Sequence, residues 1–130
     1  MLPLKHKGKR MSQATPEILR GTLDLLILQA LKWGPAHGYA VARWIEQATN
    51  DALAIGEGTL YPALHRLEER GWISASWGAS ENNRQAKFYA LTRKGRTQLR
   101  AETDNWRRYA AAVFAALDAG RRLSTERSTD

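Results

Sequence analysis

Gly58-Thr59-Leu60-Tyr61-Pro62-Ala63-Leu64-His65-Arg66-Leu67-Glu68-Glu69-Arg70-Gly71-Trp72-Ile73 reads as a short helix closed by a glycine and running straight into a strand. Leu60, Leu64 and Leu67 fall at i, i+4 and i+7, which gives the helix one side to bury. Tyr61, Pro62, His65 and Arg66 fall on its other sides, free to meet a partner. Thr59 is placed to cap the N-terminus, and Pro62 then sits in the first turn, where a missing N–H costs nothing. Gly71 supplies the left-handed residue that ends the helix.

Downstream, Ile73, Ala75 and Trp77 alternate with Trp72, Ser74 and Ser76, so 72–77 is expected to be a strand. Residues 78–85 are a polar turn with nothing to bury, and Ala86–Leu91 returns as a second strand. Thr92 then caps a long helix to about Ala119, in which Leu99, Thr103, Trp106, Ala110, Val113 and Leu117 keep a 4,3,4,3 spacing. Its other side carries Arg93, Arg100, Arg107 and Arg108. Upstream, Thr15-Pro16-Glu17 opens a helix that runs to about Trp33 and stops at Gly34-Pro35. Leu19, Leu23, Leu26 and Ala30 form one stripe on it, while Ile18, Leu25, Leu28 and Leu31 add apolar surface elsewhere. So wide an apolar circumference means a helix that is either central or shared with a second subunit. A second helix is expected from His37-Gly38 to Ala48, with Val41, Ile45 and Ala48 inward, and Leu53-Ala54-Ile55 as a connector or strand.

The fold expected is therefore mainly α with a small β-hairpin. Residues 1–14 read as a disordered basic arm, with Met11 as an alternative start, and 15–91 as the helical domain with its hairpin. Residues 92–119 are the long terminal helix, and 120–130 a polar tail. At 130 residues, 43% hydrophobic and 25% charged, the chain has the composition of one soluble globular domain. It has no cysteine, which excludes disulfides, thiol chemistry and zinc–thiolate sites. The three histidines show no ligand spacing, so neither a metal nor a cofactor is expected. No apolar run approaches membrane-spanning length and no signal peptide is evident, which points to the cytoplasm and away from a membrane. A net charge of +7 and a pI near 10.1 make a polyanion the favoured partner. Between Thr59 and Arg100, eight positive residues face three negative ones. No nucleophile–base pair, phosphate loop or carboxylate cluster suggests an enzyme.

Four stretches carry a specific resemblance: Gly21-Thr22-Leu23-Asp24-Leu25-Leu26-Ile27-Leu28, His37-Gly38-Tyr39, Glu57-Gly58-Thr59-Leu60-Tyr61-Pro62-Ala63-Leu64, and Lys87-Phe88-Tyr89-Ala90-Leu91-Thr92-Arg93-Lys94-Gly95. In order and spacing they resemble the PadR family of bacterial transcriptional regulators over residues 17 to 118, and the single terminal helix resembles its short-tailed subfamily. The resemblance implies a winged helix-turn-helix homodimer that binds double-stranded DNA at an imperfect palindrome, usually represses, and is often released by a small molecule. Two such heads need a dimer to hold their recognition helices one DNA turn apart, about 34 Å.

On this reading Thr59, Tyr61, Pro62, His65 and Arg66 of the recognition helix face DNA. Arg66 could take a guanine edge or a phosphate, or pair with a neighbouring acid such as Glu69. Tyr61 could meet a phosphate or a thymine methyl. Tyr39 at the second helix's start and Lys94 at the last helix's start are phosphate candidates. Asn82, Asn83, Arg84 and Lys87 suit the wing. Leu19, Leu23, Leu26, Leu99, Trp106, Ala110, Val113 and Leu117 are assigned to dimerisation. Trp33, Trp106 and Tyr109 could line a pocket for a flat aromatic effector, or simply fill core and interface. The competing class is a winged helix used for protein contact or for non-specific DNA coating.

Overall fold

The computed structural model describes residues 19–120. Helix α1 (Leu19–Ala30) leads through a 3-10 turn (Leu31–Trp33) to strand β1 (Ala36–His37) and helix α2 (Gly38–Ala48). Helix α3 (Glu57–Glu69), strands β2 (Ile73–Ala79) and β3 (Gln85–Leu91) and helix α4 (Arg93–Asp118) follow. The chain divides into two compact units between Leu99 and Arg100, inside α4. The basic arm, the start of the first helix and the tail after 120 lie outside the described residues.

The core belongs to the first unit. Leu23, Ile27, Leu28 and Leu31 meet Val41 and Ile45 of α2, Leu60, Ala63, Leu64 and Leu67 of α3, Ile73 of β2 and Leu91 of β3. Each such Leu or Ile removed from water is worth about 1.5–3 kcal/mol, so these side chains set how the helices stack. Leu23 and Leu99, both expected at a dimer contact, are 1% and 6% exposed and belong to this core. The wide apolar girth of α1 thus serves the core of its own chain at Leu23, Ile27 and Leu28, while Leu25 and Leu26 stay half-buried. Ala48, expected inward, is exposed.

The sheet has three antiparallel strands in the order β1-β3-β2. The hairpin runs from Ile73↔Leu91 to Ala79↔Gln85, two residues further toward the tip on β2 than expected. β1 adds Ala36↔Tyr89 and His37↔Phe88, an edge that two residues cannot announce by alternation. The 53–55 segment forms no strand, but Ile55 anchors it in the core.

Helix α3 begins two residues before Thr59. Gly56 is its N-cap, with no side-chain cap bond. Thr59 donates its amide to the Gly56 carbonyl instead of capping, and Pro62 falls beyond the first turn. The proline therefore removes the N–H that would have met the Gly58 carbonyl. At the other end the expectation holds in full. Gly71 has φ +78°, its N–H meets Glu68 O at 3.0 Å, and Trp72 N–H meets Leu67 O at 3.0 Å, a Schellman stop.

The second unit is helical from Arg100 to Asp118. Trp106, Tyr109, Val113, Phe114 and Leu117 are exposed on it. At about 100° per residue these five positions share one side of the helix.

Candidate nucleic-acid interface

Because Leu60, Ala63, Leu64 and Leu67 are buried, the remaining faces of α3 are presented outward. Thr59, Tyr61, Pro62 and His65 are all exposed. Tyr61 is only 44% so, because its ring lies over the start of α2. A Cβ at Gly38 would stand 2.8 Å from the Tyr61 hydroxyl, so the glycine of His37-Gly38-Tyr39 makes room for the tyrosine of Leu60-Tyr61-Pro62. The two motifs are one contact seen from two helices.

His37 caps α2, its Nδ1 accepting the Ala40 N–H at 3.2 Å. One of the amide groups at this helix end is thereby occupied. Tyr39, exposed beside it, stacks at 6.4 Å on His37 and accepts a hydrogen bond from Arg43 Nη1 at 3.4 Å. The Tyr39 hydroxyl holds the Arg43 guanidinium above its ordinary range. Arg43 was missed from sequence, although it stands four residues after Tyr39 on the same helix face.

The hairpin tip is closed by Ser80 N–H to Arg84 O (2.8 Å) and Asn83 N–H to Ser80 O (2.9 Å). Asn83 takes φ +63°, a left-handed conformation that asparagine tolerates better than most residues. Asn82, Asn83 and Arg84 are exposed at this tip. Lys87 is half-buried, 3.6 Å from Glu68 of α3 and 5.6 Å above the Tyr89 ring. Trp77 pairs with Lys87 across the strands and is 68% exposed, since on that face of the sheet the core ends at the preceding pair, Ala75↔Tyr89. Lys94 is exposed at the start of α4. Its neighbour Gly95 is obligatory, because a Cβ there would collide with the Trp72 carbonyl.

Arg66 does not stand free. Its Nη2 donates to Asp24 Oδ1 of α1 at 2.8 Å, and Arg70 Nη1 lies 3.6 Å from the other oxygen. Arg70 also covers the Trp72 ring at 5.1 Å. The acid found by Arg66 is thus 42 residues away in sequence rather than Glu69, which pairs with His65 at 3.3 Å.

The aromatics proposed for an effector fall in different units. Trp33, 70% exposed with Lys32 5.4 Å from its ring, belongs to the first. Trp106 and Tyr109 belong to the second, their rings 5.6 Å apart. Phe114, four residues after Ala110, belongs to the same stripe and was overlooked. Leu19 is placed in α1, but its side chain lies outside the described residues. Among the described residues no three His, Asp or Glu side chains cluster as metal ligands, and no helix is long and apolar enough to cross a membrane.

The family profile "Transcriptional regulator PadR-like family" matches residues 27–101, more than half of the chain. The chain belongs to the PadR-like family of transcriptional regulators. It is 32% identical over 90 residues to "Uncharacterized protein X" of Lysinibacillus sphaericus, covering 69% of this chain and 83% of that one. A PadR family transcriptional regulator from Eggerthella lenta superposes with a TM-score of 0.68 at 29% identity, covering 86% of this chain and 96% of the other. A PadR-like regulator from Bacillus cereus gives 0.69 at 25% identity, covering 80% and 99%. Membership in the PadR-like family makes the chain a DNA-binding regulator rather than an enzyme, and the helices with their small sheet form its winged helix-turn-helix.

Proposed function

We propose that the protein is a homodimeric repressor that seats two copies of α3 in successive major grooves of a palindromic operator. The observation that carries this reading is the exposed strip Thr59, Tyr61, Pro62 and His65 on α3, together with the exposed hairpin tip Asn82, Asn83 and Arg84. Hydroxyl, imidazole and ring edges on one helix face are the groups that read base edges in a major groove. Tyr39 with Arg43, Lys94 and the hairpin tip supply phosphate contacts, which fix the register of the helix without reading sequence. Lys87, tethered to Glu68, sits where the wing meets α3.

The apolar stripe Trp106, Ala110, Val113 and Leu117, with Phe114, supports pairing of two C-terminal helices, with Leu26 as a lesser contact on α1. Heptad-like spacing with exposed large side chains favours a second copy as its cover. A pair of heads about 34 Å apart then matches a twofold operator, and a dimer lying across a promoter blocks transcription. The Trp106–Tyr109 ring pair is the favoured seat for a flat aromatic effector, with Trp33 as a second exposed ring. Such a ligand would act from the cytosol by shifting the spacing of the heads.

The test is an anisotropy titration against DNA from upstream of the gene, with excess unrelated competitor. Competitor-resistant binding that His65→Ala weakens by about 1–3 kcal/mol is the expected result. Equal affinity for both DNAs, unmoved by His65→Ala, would leave a non-specific coating protein.

A further inference from the structure

The basic groups on and against the recognition helix are each matched to an acid of the chain. His65 Nε2 is 3.3 Å from Glu69, Arg66 Nη2 is 2.8 Å from Asp24, Arg70 Nη1 is 3.6 Å from Asp24, and Lys87 Nζ is 3.6 Å from Glu68. From Glu57 to Glu69 the helix itself holds three glutamates against Arg66, a net charge of −2 with His65 neutral. In a chain of net charge +7, the helix proposed to read DNA thus carries no surplus of positive charge.

Of these pairs, that of Asp24 is unlike the rest. His65 and Glu69 share a surface turn and keep 71% and 67% of their side-chain exposure, so their attraction is weak and screened. Asp24 comes from another helix, keeps only 17% exposure, and offers one oxygen to each of two arginines. Arg66 is drawn in with it, to 27%. A partly desolvated, charge-assisted hydrogen bond of this kind is about twice as strong as a neutral one and resists salt better than a surface pair.

We infer that Asp24 is a specificity-determining residue: its carboxylate withholds Arg66, and to a lesser degree Arg70, from DNA phosphates, so that unrelated DNA is bound weakly. The inference rests on the DNA-reading role proposed for α3. A free guanidinium at Arg66 would neutralise one phosphate on any sequence, adding affinity everywhere and discrimination nowhere. With Asp24 in place, contacts from α3 must come from groups that distinguish bases. Asp24 is a positioning residue in this account, since it acts through the two arginines.

The experiment measures binding to operator and to unrelated duplex over a salt series, using the full chain. Asp24→Asn removes the charge and keeps the shape. It is expected to tighten binding to unrelated DNA by about 3–10-fold at low salt and steepen the salt slope by about one to two units, one for each arginine released, narrowing the operator preference. Adding Arg66→Gln to Asp24→Asn is expected to cancel at least half of that gain. Arg66→Gln alone, which keeps Asp24 occupied by Arg70, is expected to leave unrelated-DNA affinity and its salt slope as in the parent.

If Asp24→Asn leaves both unchanged while the parent prefers its operator, the inference is overturned and the pair only holds α1 to α3. If Arg66→Gln alone lowers the slope by about one unit, Arg66 already contacts phosphate and the inference is overturned even where Asp24→Asn fails to fold. A parent protein without operator preference would overturn the DNA-reading role itself, and is distinguished from both by the unsubstituted titration.

Discussion

At Gly38 a hydrogen in place of a Cβ decides where Tyr61 can lie. Gly38→Ala puts a methyl group 2.8 Å from the phenol oxygen and 2.9 Å from the ring, so the ring must swing off the start of α2. The expected cost is about 1–3 kcal/mol, read from the urea midpoint, with DNA affinity falling in parallel because Tyr61 is displaced. Gly95→Ala should cost more, since the atom in the way is the backbone carbonyl of Trp72 rather than a side chain that can rotate. Tyr89 supplies a pH dependence. Burial pushes its phenol above the ordinary value of 10.0, so the folded state favours the neutral form. Stability is full below that value and falls as the pH rises through it toward the folded value, because only the unfolded chain ionises freely. Tyr89→Phe should flatten that alkaline decline when urea midpoints are compared from about pH 9 to about pH 11.

Elements are held by joints that connect their ends. Thr92 Oγ1 donates to the Gly71 carbonyl at 2.6 Å and accepts the Gly95 N–H at 3.0 Å, so one hydroxyl caps α4 and ties it to the stop of α3. Thr92→Ala should cost about 1–2 kcal/mol in thermal or urea unfolding, the loss of a cap plus a second bond. This cap was legible, as were the Gly34 and Gly71 stops, α2 and the hairpin, because local chemistry and period alone specify them. What stayed hidden depended on distant chain. β1 exists only because β3 lies beside it, and two residues carry no period. Thr59 looks like a cap, yet the helix starts at Glu57, and its N-cap Gly56 has no side chain to announce it. The exposed strip of α3 was readable from its apolar spacing, but the partner of Arg66 was not, because Asp24 is on another helix and nothing in the local pattern couples them. Leu23 and Leu99 show the same limit: an apolar stripe declares that it will be buried and leaves open by what.

For the whole molecule, Val113→Glu with Leu117→Glu should give a monomer in sedimentation velocity, with operator affinity falling at least tenfold and the helical signal kept. Carboxylates inside an apolar helix pairing cost several kcal/mol, while at these exposed positions of one chain they cost little. The beginning of α3 has its own place in the balance of the fold. Its N-cap offers no side chain to the first amides, and Pro62 leaves the Gly58 carbonyl without a helical donor. The turns ahead of Pro62 are therefore fastened chiefly by Leu60, whereas those behind it hold Ala63, Leu64 and Leu67. Opening of a helix starts where such bonds are fewest. Native-state hydrogen exchange should find the amides of Leu60 and Tyr61 opening well below the global unfolding free energy, and those from Leu64 to Glu69 close to it. The end of the helix that meets the groove first would then gain order from DNA, and its exchange should slow on the operator more than that of any other helical segment.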